Sequence, residues 1–559
     1  MSEVMTGSAI LARELSRVGV EAAFVFQGGA ISSAIDEVAA AGIRLVPFDH
    51  ELDAAYAAEG FVRSSGKLAC VLTTSGPGAT NLISGLCGSW FDGIPVLFVT
   101  GQVRASERTD FDWNLQSGFQ EVDIVPMVRG ITKYARRVYH PGQVAFATQA
   151  AVRSMLRGRR GPALLDLTMN AQMDSAHHQT ATSYSQSPAD TRGGFEPMHM
   201  FFEALESADQ PLLLVGGGFQ WQDRRRVRSA LESLGIPVIA TYGGVNVLPL
   251  DHHLNLGFIG PFGHPGANKA FIEATHLFVI GARIPTRALP PMEEACAEQI
   301  RHRPTFVITT DPEEFATHPL SPEFVTEADV ADFVSLVEEG VRPAKSDVER
   351  DRRGERNLIP AEFFQETFAP SAYSPRDLVG ALNHALKPET RIFVDVGQNA
   401  VALALGLERA DEQLLFSSWA NSPMGYSLPA AIGASFDESS PPPVCVIGDG
   451  GLRTALSSLP NLLSASGRMK TIVWDNGGYA TIIDHLHRML EGRLTAVDSG
   501  SGLPEFPIRE VLIASGLQVS VAEGDLSRCV AKFLNGSDED VLLVSVDPRY
   551  RLFPLPRVS

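Results

Sequence analysis

The chain of 559 residues has few cysteines, no long apolar run and fewer basic than acidic residues. Its five cysteines are scattered, without the spacing of a disulfide framework or a metal site, which predicts a reducing compartment. No stretch approaches the roughly 18 to 20 consecutive apolar residues of a membrane helix. The amino terminus has Glu3 and Glu14 in an amphipathic pattern and lacks the basic head and apolar centre of a signal peptide. Together these absences predict a cytoplasmic protein.

The shortage of positive charge also narrows the choice of partners. The chain has 46 Lys and Arg residues against 65 Asp and Glu residues, which gives a net charge of −19. Nucleic acids and anionic membranes both favour a basic surface, so we expect neither as a partner. Two local basic runs, Arg224 to Arg226 and Arg350 to Arg356, are expected to lie on a solvated helix face or in a linker.

The length and the alternation of apolar runs predict about three domains. Strand-like runs alternate with helical segments, which is typical of parallel sheets with crossover helices. Polar, linker-like stretches at 177–197 and 341–356 divide the chain. We therefore predict three doubly wound α/β domains with mainly parallel sheets, over residues 1–175, 190–340 and 365–559.

Thirteen runs are predicted to form strands of these sheets. They lie at 22–26, 43–48, 68–74, 95–101 and 162–167 in the first unit, at 211–218, 236–244, 276–284 and 305–311 in the second, and at 391–399, 442–451, 470–480 and 541–547 in the third.

The third unit contains the clearest chemical pattern. Asp449 follows the apolar run VCVIG, and Asn476 follows the next apolar run. Open α/β sheets bind ligands beyond the carboxyl ends of their strands, so both side chains are expected at one edge. Carboxylate and amide oxygens suit Mg²⁺, which often shares phosphate oxygens. Gly450 and Gly451 allow backbone amides to approach a diphosphate closely.

The first unit contains a matching pattern. Glu51 opens a helix directly after the run IRLVPF. An acid in a first turn also simply stabilises the helix terminus, so this residue alone does not decide the function. The second strand-end turn, with Gly76, Pro77, Gly78 and Asn81, favours a binding site.

These motifs resemble those of the thiamine-diphosphate enzymes, most closely the acetolactate synthase group. The motifs are HELDAAYAAEGF (50–61), TTSGPGATN (73–81), IPV (94–96), TGQV (100–103), GFQE (118–121), ITK (131–133) and GDG (448–450) with the later Asn476. The resemblance covers nearly the whole chain. It implies a pyrimidine-binding first domain, a central domain and a diphosphate-binding third domain.

The resemblance implies a role for each motif residue. Glu51 would share a proton with N1′ of the cofactor's pyrimidine, and Asp449, Asn476 and the Gly478 carbonyl would bind Mg²⁺. Gln120 would line the catalytic site with Gly28 and Gly29. The remaining cofactor-binding positions implied are Pro77, Asn81, Gly397, Gln398, Asn399, Ser422, Met424, Gly450, Gly451 and Tyr479. Members of the family place the glutamate and the metal site of one active site on different subunits, which implies a homodimer or homotetramer.

The resemblance favours a carboligase, which decarboxylates a 2-oxo acid such as pyruvate and transfers the acyl unit to an acceptor carbonyl. Related decarboxylases carry a paired histidine where this chain has residues 112–117. The histidine pairs that this chain does have, His177–His178 and His252–His253, lie elsewhere in the sequence and are expected at the surface. Phe119 and Lys133 are expected near the substrate. A decarboxylase or carbon–carbon lyase on a specialised substrate and a flavin-linked oxidase remain alternatives.

Several positions depart from biosynthetic acetolactate synthases. His485 stands where those enzymes have a tryptophan that selects the acceptor, which questions a role in branched-chain amino-acid synthesis. Pro285 and Thr286 replace an acidic pair of the FAD site. The sequence therefore leaves FAD binding open, and Arg287 is expected either to bind an acceptor carboxylate or to form a surface salt bridge. The implied FAD positions are Gly216, Gly217, Gly218, Gly260, Arg283 and Asp311.

Overall fold

The computed structural model describes residues 3–109, 115–178, 195–285, 288–340, 372–410, 412–536 and 538–550. These residues form three six-stranded sheets that follow one another along the chain, each parallel throughout and flanked by helices. This arrangement confirms the predicted fold class. Within the described ranges, no helix combines the length and the apolar character needed to cross a bilayer.

The first domain contains eight strands and eight α-helices among the described residues. They are β1 (Glu3–Thr6), α1 (Gly7–Arg17), β2 (Val20–Val25), α2 (Ser32–Ala40), β3 (Arg44–Pro47), α3 (Glu51–Ser65), β4 (Leu68–Thr73), α4 (Pro77–Thr80), α5 (Ile83–Asp92), β5 (Val96–Gln102), α6 (Ile124–Val128), β6 (Tyr134–Val138), α7 (Val144–Leu156), β7 (Ala163–Thr168), α8 (Met169–Met173) and β8 (Ser175–His178). The sheet order is β3-β2-β4-β5-β7-β6, and β1 pairs antiparallel with β8.

The middle domain has a different strand order. Its elements are α9 (Phe195–Ser207), β9 (Pro211–Val215), α10 (Arg224–Leu234), β10 (Val238–Ala240), β11 (Asn255–Phe258), α11 (Pro265–Glu273), β12 (His276–Ile280), α12 (Glu294–Arg301), β13 (Thr305–Thr309), β14 (Phe324–Glu327) and α13 (Val330–Glu338). The order β11-β10-β9-β12-β13-β14 is that of dinucleotide-binding sheets, with its switch point between β9 and β12.

The third domain repeats the strand order of the first. Its elements are α14 (Pro375–Ala385), β15 (Arg391–Val394), α15 (Gln398–Gly406), β16 (Leu414–Phe416), α16 (Ser427–Ala434), β17 (Val444–Gly448), α17 (Asp449–Thr454), α18 (Leu459–Ser464), β18 (Lys470–Asp475), α19 (Ala480–Met489), α20 (Ile508–Ala514), β19 (Val519–Val521), α21 (Leu526–Gly536) and β20 (Val541–Ser545). The sheet order β16-β15-β17-β18-β20-β19 matches that of the first sheet strand for strand.

The first and third domains meet through a close crossing of α3 and α16. A Cβ atom on Gly60 would lie 2.1 Å from the Ala430 carbonyl oxygen, and one on Gly433 would lie 1.9 Å from that of Ala57. Only glycine permits this approach of two backbones. The two contact pairs also show that the helices run antiparallel, so the carboxyl half of α3 lies beside the start of α16.

The structure corrects three expectations about polar side chains. His178 and His252 are buried rather than at the surface: His178 lies in β8 near Glu14, and His252 Nε2 lies 3.0 Å from Glu232 Oε1. Arg224, expected on a solvated face, is half-buried and lines a cleft. A polar side chain is buried where a partner satisfies it, and that information is absent from local sequence patterns.

Candidate active site

Oxygen atoms of three residues meet at the carboxyl edge of the third sheet. β17 ends at Gly448 and is followed by Asp449, and β18 ends one residue before Asn476. One terminal atom of the Asn476 amide lies 3.1 Å from Asp449 Oδ1 and 2.9 Å from the Gly478 carbonyl oxygen. The other terminal atom lies 3.5 Å from Gln398 Oε1. Both ends of this amide therefore face oxygen atoms.

The Asn476 amide fits its surroundings in two orientations. With its nitrogen toward Asp449 and the Gly478 carbonyl, it would donate to both oxygens at 3.1 and 2.9 Å. With its nitrogen toward Gln398, whose own Nε2 donates to Asp484 Oδ2 at 2.9 Å and to the Tyr550 carbonyl at 3.2 Å, its oxygen converges with those of Asp449 and Gly478. Three converging oxygens repel one another unless a cation lies between them, and carboxylate, amide and carbonyl oxygens are ligands that Mg²⁺ accepts.

The electrostatics of this edge also favour a cation. Burial, and then the neighbouring Asp475 carboxylate, raise the pKa of Asp449 to about 7. Burial raises the pKa of Asp475 as well. Two acids held this close at a buried edge are stabilised by a divalent positive charge, which matches the geometry of the three oxygens.

An unsatisfied donor lies next to this set. Gly397 has a φ of +112° and precedes α15, which lets the chain turn sharply after β15. Asn399 is buried, and its Nδ2 has no hydrogen-bond partner among the described residues. A buried donor without a partner is costly and fits an anionic oxygen such as that of a diphosphate.

Glycines keep the carboxyl edge of the third sheet, the third edge, open to such an anion. A Cβ on Gly450 would lie 2.8 Å from the Tyr479 ring, and one on Gly451 would lie 1.9 Å from Asp395 Oδ2. Asp395 is buried, and its carboxylate accepts the amides of Gly425 at 3.0 Å and of Ser427 at 3.2 Å. It thereby fixes the start of α16 against the diphosphate side of the site.

The loop of residues 417–424, between β16 and α16, carries two of the predicted cofactor residues. Ser422 adopts a φ of +51°, which is unusual for a residue with a side chain and marks a held conformation. Ser422 N donates to the Ser418 carbonyl at 2.9 Å. Met424 is 41% exposed, so its side chain is available to a ligand or to another subunit.

The corresponding edge of the first sheet presents an acid held by an amide. Glu51, at the start of α3, is 5% exposed, and Asn81 Nδ2 donates to its Oε2 at 2.9 Å. Pro77 begins the short helix between them. A Cβ on Gly78 would lie 3.6 Å from Glu51 Oε1, so glycine there leaves the carboxylate accessible. Gly28 packs against the Thr74 side chain, whereas Gly29 has open space around it.

Gln120 lies on the same side of the first domain. Its carbonyl oxygen would be 2.8 Å from a Cβ on Gly76, and it adopts a φ of +60°. Glu121 anchors this turn by accepting the amides of Thr109 at 2.7 Å and of Gly118 at 3.2 Å. Burial opposes the charge on Glu121, but these bonds outweigh it and keep its pKa low. Phe119 is 85% exposed.

Within one chain, the two edges do not face each other. Because α3 and α16 cross antiparallel near Gly60 and Ala430, Glu51 lies at the far end of α3 from Ser427. At about 1.5 Å per residue, this separation is about 18 Å along the helix axes. Neither edge alone provides both an acid for the pyrimidine and a cation site for the diphosphate.

A separate cleft of about 230 Å³ lies at the carboxyl edge of the middle sheet. It contains the switch point between β9 and β12, where such sheets bind ligands. Three acids and five arginines line the cleft. The arginines are Arg63, Arg159, Arg160, Arg224 and Arg283. Burial lowers the pKa of Arg159, Arg160 and Arg224, so an anion there would stabilise their charged forms.

The structure places the implied FAD positions unevenly around this cleft. Gly217, Gly218 and Arg283 line it. Gly216 packs against Ala282 instead, where a Cβ would lie 2.3 Å from the Ala282 Cα atom. Gly260 exchanges hydrogen bonds with Asn268 at 2.9 and 3.0 Å and serves the packing of α11. Asp311 follows β13 close to Lys133 and Arg159 without lining the cleft.

Two predicted substrate residues lie away from the carboxyl edge of the first sheet, the first edge. Lys133 precedes β6 and packs beside Gly161, at the amino ends of the strands, whereas Glu51 lies at the carboxyl ends. His485 is an exposed residue of α19 in the third domain. Arg287, Thr286 and residues 112–114 lie outside the described residues.

Sequence reasoning missed several charged residues that shape the site. Asp395 directly follows a fully buried strand and lies two residues before Gly397, and an acid in that position was a usable signal. Arg63, Glu59 and Asp92 form a buried ion cluster between domains. These three occupy ordinary helical positions, so no local pattern distinguishes them from solvated charges.

Comparisons with known proteins cover the same three domains. The chain matches the N-terminal TPP binding domain of thiamine pyrophosphate enzymes over residues 5–127, their central domain over 199–334 and their C-terminal TPP binding domain over 395–546.

The relatives in these comparisons include acetolactate synthases from several organisms. The acetolactate synthase of Arthrospira platensis is 28% identical over 521 residues, which is 90% of this chain and 87% of the relative. The large subunit from Pyropia yezoensis is 29% identical over 503 residues, or 85% and 81% of the two chains. The isozyme 1 large subunit of Escherichia coli (strain K12) is 27% identical over 567 residues, or 98% and 95%.

Proposed function

We propose a carboligase reaction for this chain, which belongs to the thiamine-diphosphate-dependent enzyme family. In this reaction a 2-oxo acid, which we take to be pyruvate, loses carbon dioxide, and its two-carbon unit is joined to an acceptor carbonyl. The observation that carries the proposal is the position of the Asn476 amide, 3.1 Å from Asp449 Oδ1 and 2.9 Å from the Gly478 carbonyl oxygen, together with the buried Asn399 Nδ2 that has no partner among the described residues. When bound, thiamine diphosphate supplies the electron sink for the decarboxylation.

The residues of the third edge fit the diphosphate end of this cofactor. Asp449, Asn476 and the Gly478 carbonyl would hold Mg²⁺, which in turn binds phosphate oxygens. Asn399 Nδ2 would donate to the diphosphate, and this bond satisfies a donor that otherwise has no partner. Gly450 leaves room for the anion beside the Tyr479 ring.

The residues of the first edge fit the pyrimidine end. Glu51 would hold or release a proton at a pyrimidine ring nitrogen, and Asn81 orients its carboxylate through the 2.9 Å bond. Gln120 and Phe119 would lie near the acceptor, because their turn packs against Gly76 close to this acid. The exposed Phe119 would also exclude water once the site is complete.

We further propose that the active enzyme is a homodimer, or a pair of dimers, in the cytoplasm. The separation of about 18 Å along the helix axes between Glu51 and the start of α16 in one chain supports sites shared between subunits. A mixture of Glu51→Gln and Asp449→Ala chains tests this. Each variant alone should be inactive. A mixed dimer has one intact site of two, so an equimolar mixture in which half of the dimers are mixed should recover about a quarter of the wild-type activity. No recovery in demonstrated mixed dimers would refute shared sites.

We propose that flavin takes no part in the reaction. The cleft provides arginines for an anionic ligand, but its volume of about 230 Å³ is small for enclosing a whole FAD. Pro285 at its rim also offers no side-chain hydrogen bond. Purified protein should lack the visible absorption of flavin, and added FAD should not change turnover; stoichiometric bound flavin would contradict this proposal.

The decisive experiment is incubation of the purified protein with pyruvate, thiamine diphosphate and Mg²⁺, followed by mass spectrometry of the products. We expect a product with a new carbon–carbon bond, acetolactate when pyruvate is also the acceptor. Release of carbon dioxide with free acetaldehyde would replace the carboligase by a decarboxylase or lyase. A protein that binds neither thiamine diphosphate nor Mg²⁺ would overturn the assignment of the edges.

A further inference from the structure

The hydrogen bonds of Asp92 reach residues of all three domains. It ends α5 in the first domain, and its Oδ2 accepts from Arg63 Nη2 of α3 at 2.8 Å. Its Oδ1 accepts from the Ala420 amide of the third domain at 3.2 Å. Its main-chain carbonyl accepts from Gln220 Nε2 of the middle domain at 3.1 Å.

These bonds converge on the 417–424 loop. Arg63 Nη1 donates to the Ser417 carbonyl at 3.0 Å, three residues before the amide held by Asp92. Between them, the Trp419 ring stacks on Tyr242 of the middle domain, with 5.2 Å between centroids. The first and middle domains thus hold the part of the loop that directly precedes Ser422 and Met424.

The ion pair of Asp92 with Arg63 is largely buried, so water does not compensate for its loss, whereas the bond to the Ala420 amide is exposed. The side chains of Asp92 and Arg63 are 8% and 4% exposed, and Glu59, which also pairs with Arg63, is fully buried. Removing one partner of a buried charge pair leaves the other without a counter-charge, which is far costlier than at a surface. Arg63 would then shift toward Glu59, and the Ser417 and Ala420 contacts would loosen together.

We propose that Asp92 is a positioning residue for the cofactor site: by holding Arg63 and the Ala420 amide, it fixes the loop that presents Ser422 and Met424 to the pyrimidine. This inference rests on the proposed function. The strained φ of +51° at Ser422 is consistent with a loop held by its surroundings rather than by its own preference. The first domain would therefore have two roles. Asp92 holds the loop of its own chain, while Glu51 would act on the cofactor of the partner subunit.

The test compares Asp92→Ala with Asp437→Ala in the full chain. Asp437 also joins the first and third domains, through Arg391 and Lys67, and its side chain is 1% exposed, but it lies away from the loop. The dissociation constant of thiamine diphosphate with saturating Mg²⁺, the near-ultraviolet circular dichroism of the bound pyrimidine, and kcat and KM are measured for each variant. Melting temperatures show whether the two variants are equally destabilised.

For Asp92→Ala we expect kcat to fall about 100-fold and the thiamine diphosphate dissociation constant to rise about tenfold, with a changed dichroism band and little change in the KM of the oxo acid. Asp437→Ala should lower the melting temperature similarly and leave these values within about twofold of wild type. If Asp92→Ala does not fold, the comparison is made with Asp92→Asn and Asp437→Asn, because asparagine keeps an oxygen for Ala420.

Two failures are distinguishable. Equal behaviour of the Asp92 and Asp437 variants, with the wild type binding thiamine diphosphate normally, would overturn the role of Asp92 alone. A wild-type protein that does not bind thiamine diphosphate would overturn the proposed function itself.

Discussion

The first and third sheets have the same strand order, and each presents a carboxylate and an asparagine at its carboxyl edge. In the first sheet, Asn81 turns its nitrogen to Glu51 and donates to it at 2.9 Å. In the third sheet, one terminal atom of the Asn476 amide lies 3.1 Å from Asp449 Oδ1, and its oxygen would face that acid when a cation is bound. The two edges thus pair the same residue types, and we propose that the first serves proton transfer and the third a cation.

The largest effect that breaks this comparison is expected from Glu51→Gln. The substitution keeps the shape of the side chain and its oxygen acceptor for Asn81, but removes the proton-transferring carboxylate. We expect turnover to fall by about 100- to 10,000-fold, while the melting temperature and thiamine diphosphate binding change little. Steady-state kinetics and calorimetry check this, with Asp53→Asn in the same helix as a control. Turnover close to wild type would exclude the role of Glu51.

The matching change on the third edge, Asp449→Ala, should affect retention of the cofactor rather than a proton. Loss of a direct ligand should weaken Mg²⁺ binding by more than the roughly 10- to 100-fold typical of an outer-shell residue. Thiamine diphosphate should then be lost on dialysis against a chelator far faster than from the wild type. The control is Asp475→Asn, which changes the neighbouring acid. Retention equal to wild type would contradict a cation at this edge.

The third edge should also respond to pH. The pKa of Asp449, raised to about 7 mainly by burial, lies above its ordinary value of 3.8, so the metal-free protein loses stability as the pH rises between these values. A cation must displace this proton, so Mg²⁺ affinity should fall up to about tenfold per pH unit below pH 7. Titrations at several pH values test this. Asp475→Asn should move the pH profile of Mg²⁺ affinity to lower pH. An unshifted profile would mean that the Asp475 charge does not influence Asp449.

The smallest effect is expected from the two asparagines, and their difference sharpens the comparison. Asn81→Ala removes one orienting hydrogen bond, worth about 1 kcal/mol, and should reduce kcat about fivefold without changing Mg²⁺ affinity. Asn476→Ala removes an oxygen of the cation site and should reduce Mg²⁺ affinity first. Parallel Mg²⁺ titrations and kinetics of the two variants distinguish these effects. Equal losses in both would mean that the amides play one common role.

Much of the fold could be predicted from the sequence because parallel strands buried on both faces form continuous apolar runs. Each of the thirteen predicted runs overlaps a strand of the structure. The sheet strands that were not predicted are β6, β11, β14, β16 and β19, and each lies at the edge of its sheet. Edge strands are short or partly exposed, as in the pattern of β19, and lack the continuous run.

The site was predictable where a residue follows a strand end and unpredictable where its surroundings come from another domain. Asp449 and Asn476 follow buried strands that are neighbours in the sheet, so local reasoning brought them together. Lys133 precedes its strand, and the resemblance gave no information about which edge it would occupy. Asp92 acquires its contacts only when three domains pack, which no single segment encodes.

Helix α3 connects two different tasks over its length. Its first residue, Glu51, would act on a cofactor bound by the partner subunit. Near its other end, Arg63 donates to the 417–424 loop, which would lie beside the cofactor of its own subunit. In a dimer with shared sites, the same rigid rod therefore touches both active centres. A displacement of one end, caused by a substrate or product, is transmitted to the other end without any intervening hinge. Ligand binding at one centre is therefore expected to be felt at the other, in addition to the turnover that each intact site retains alone.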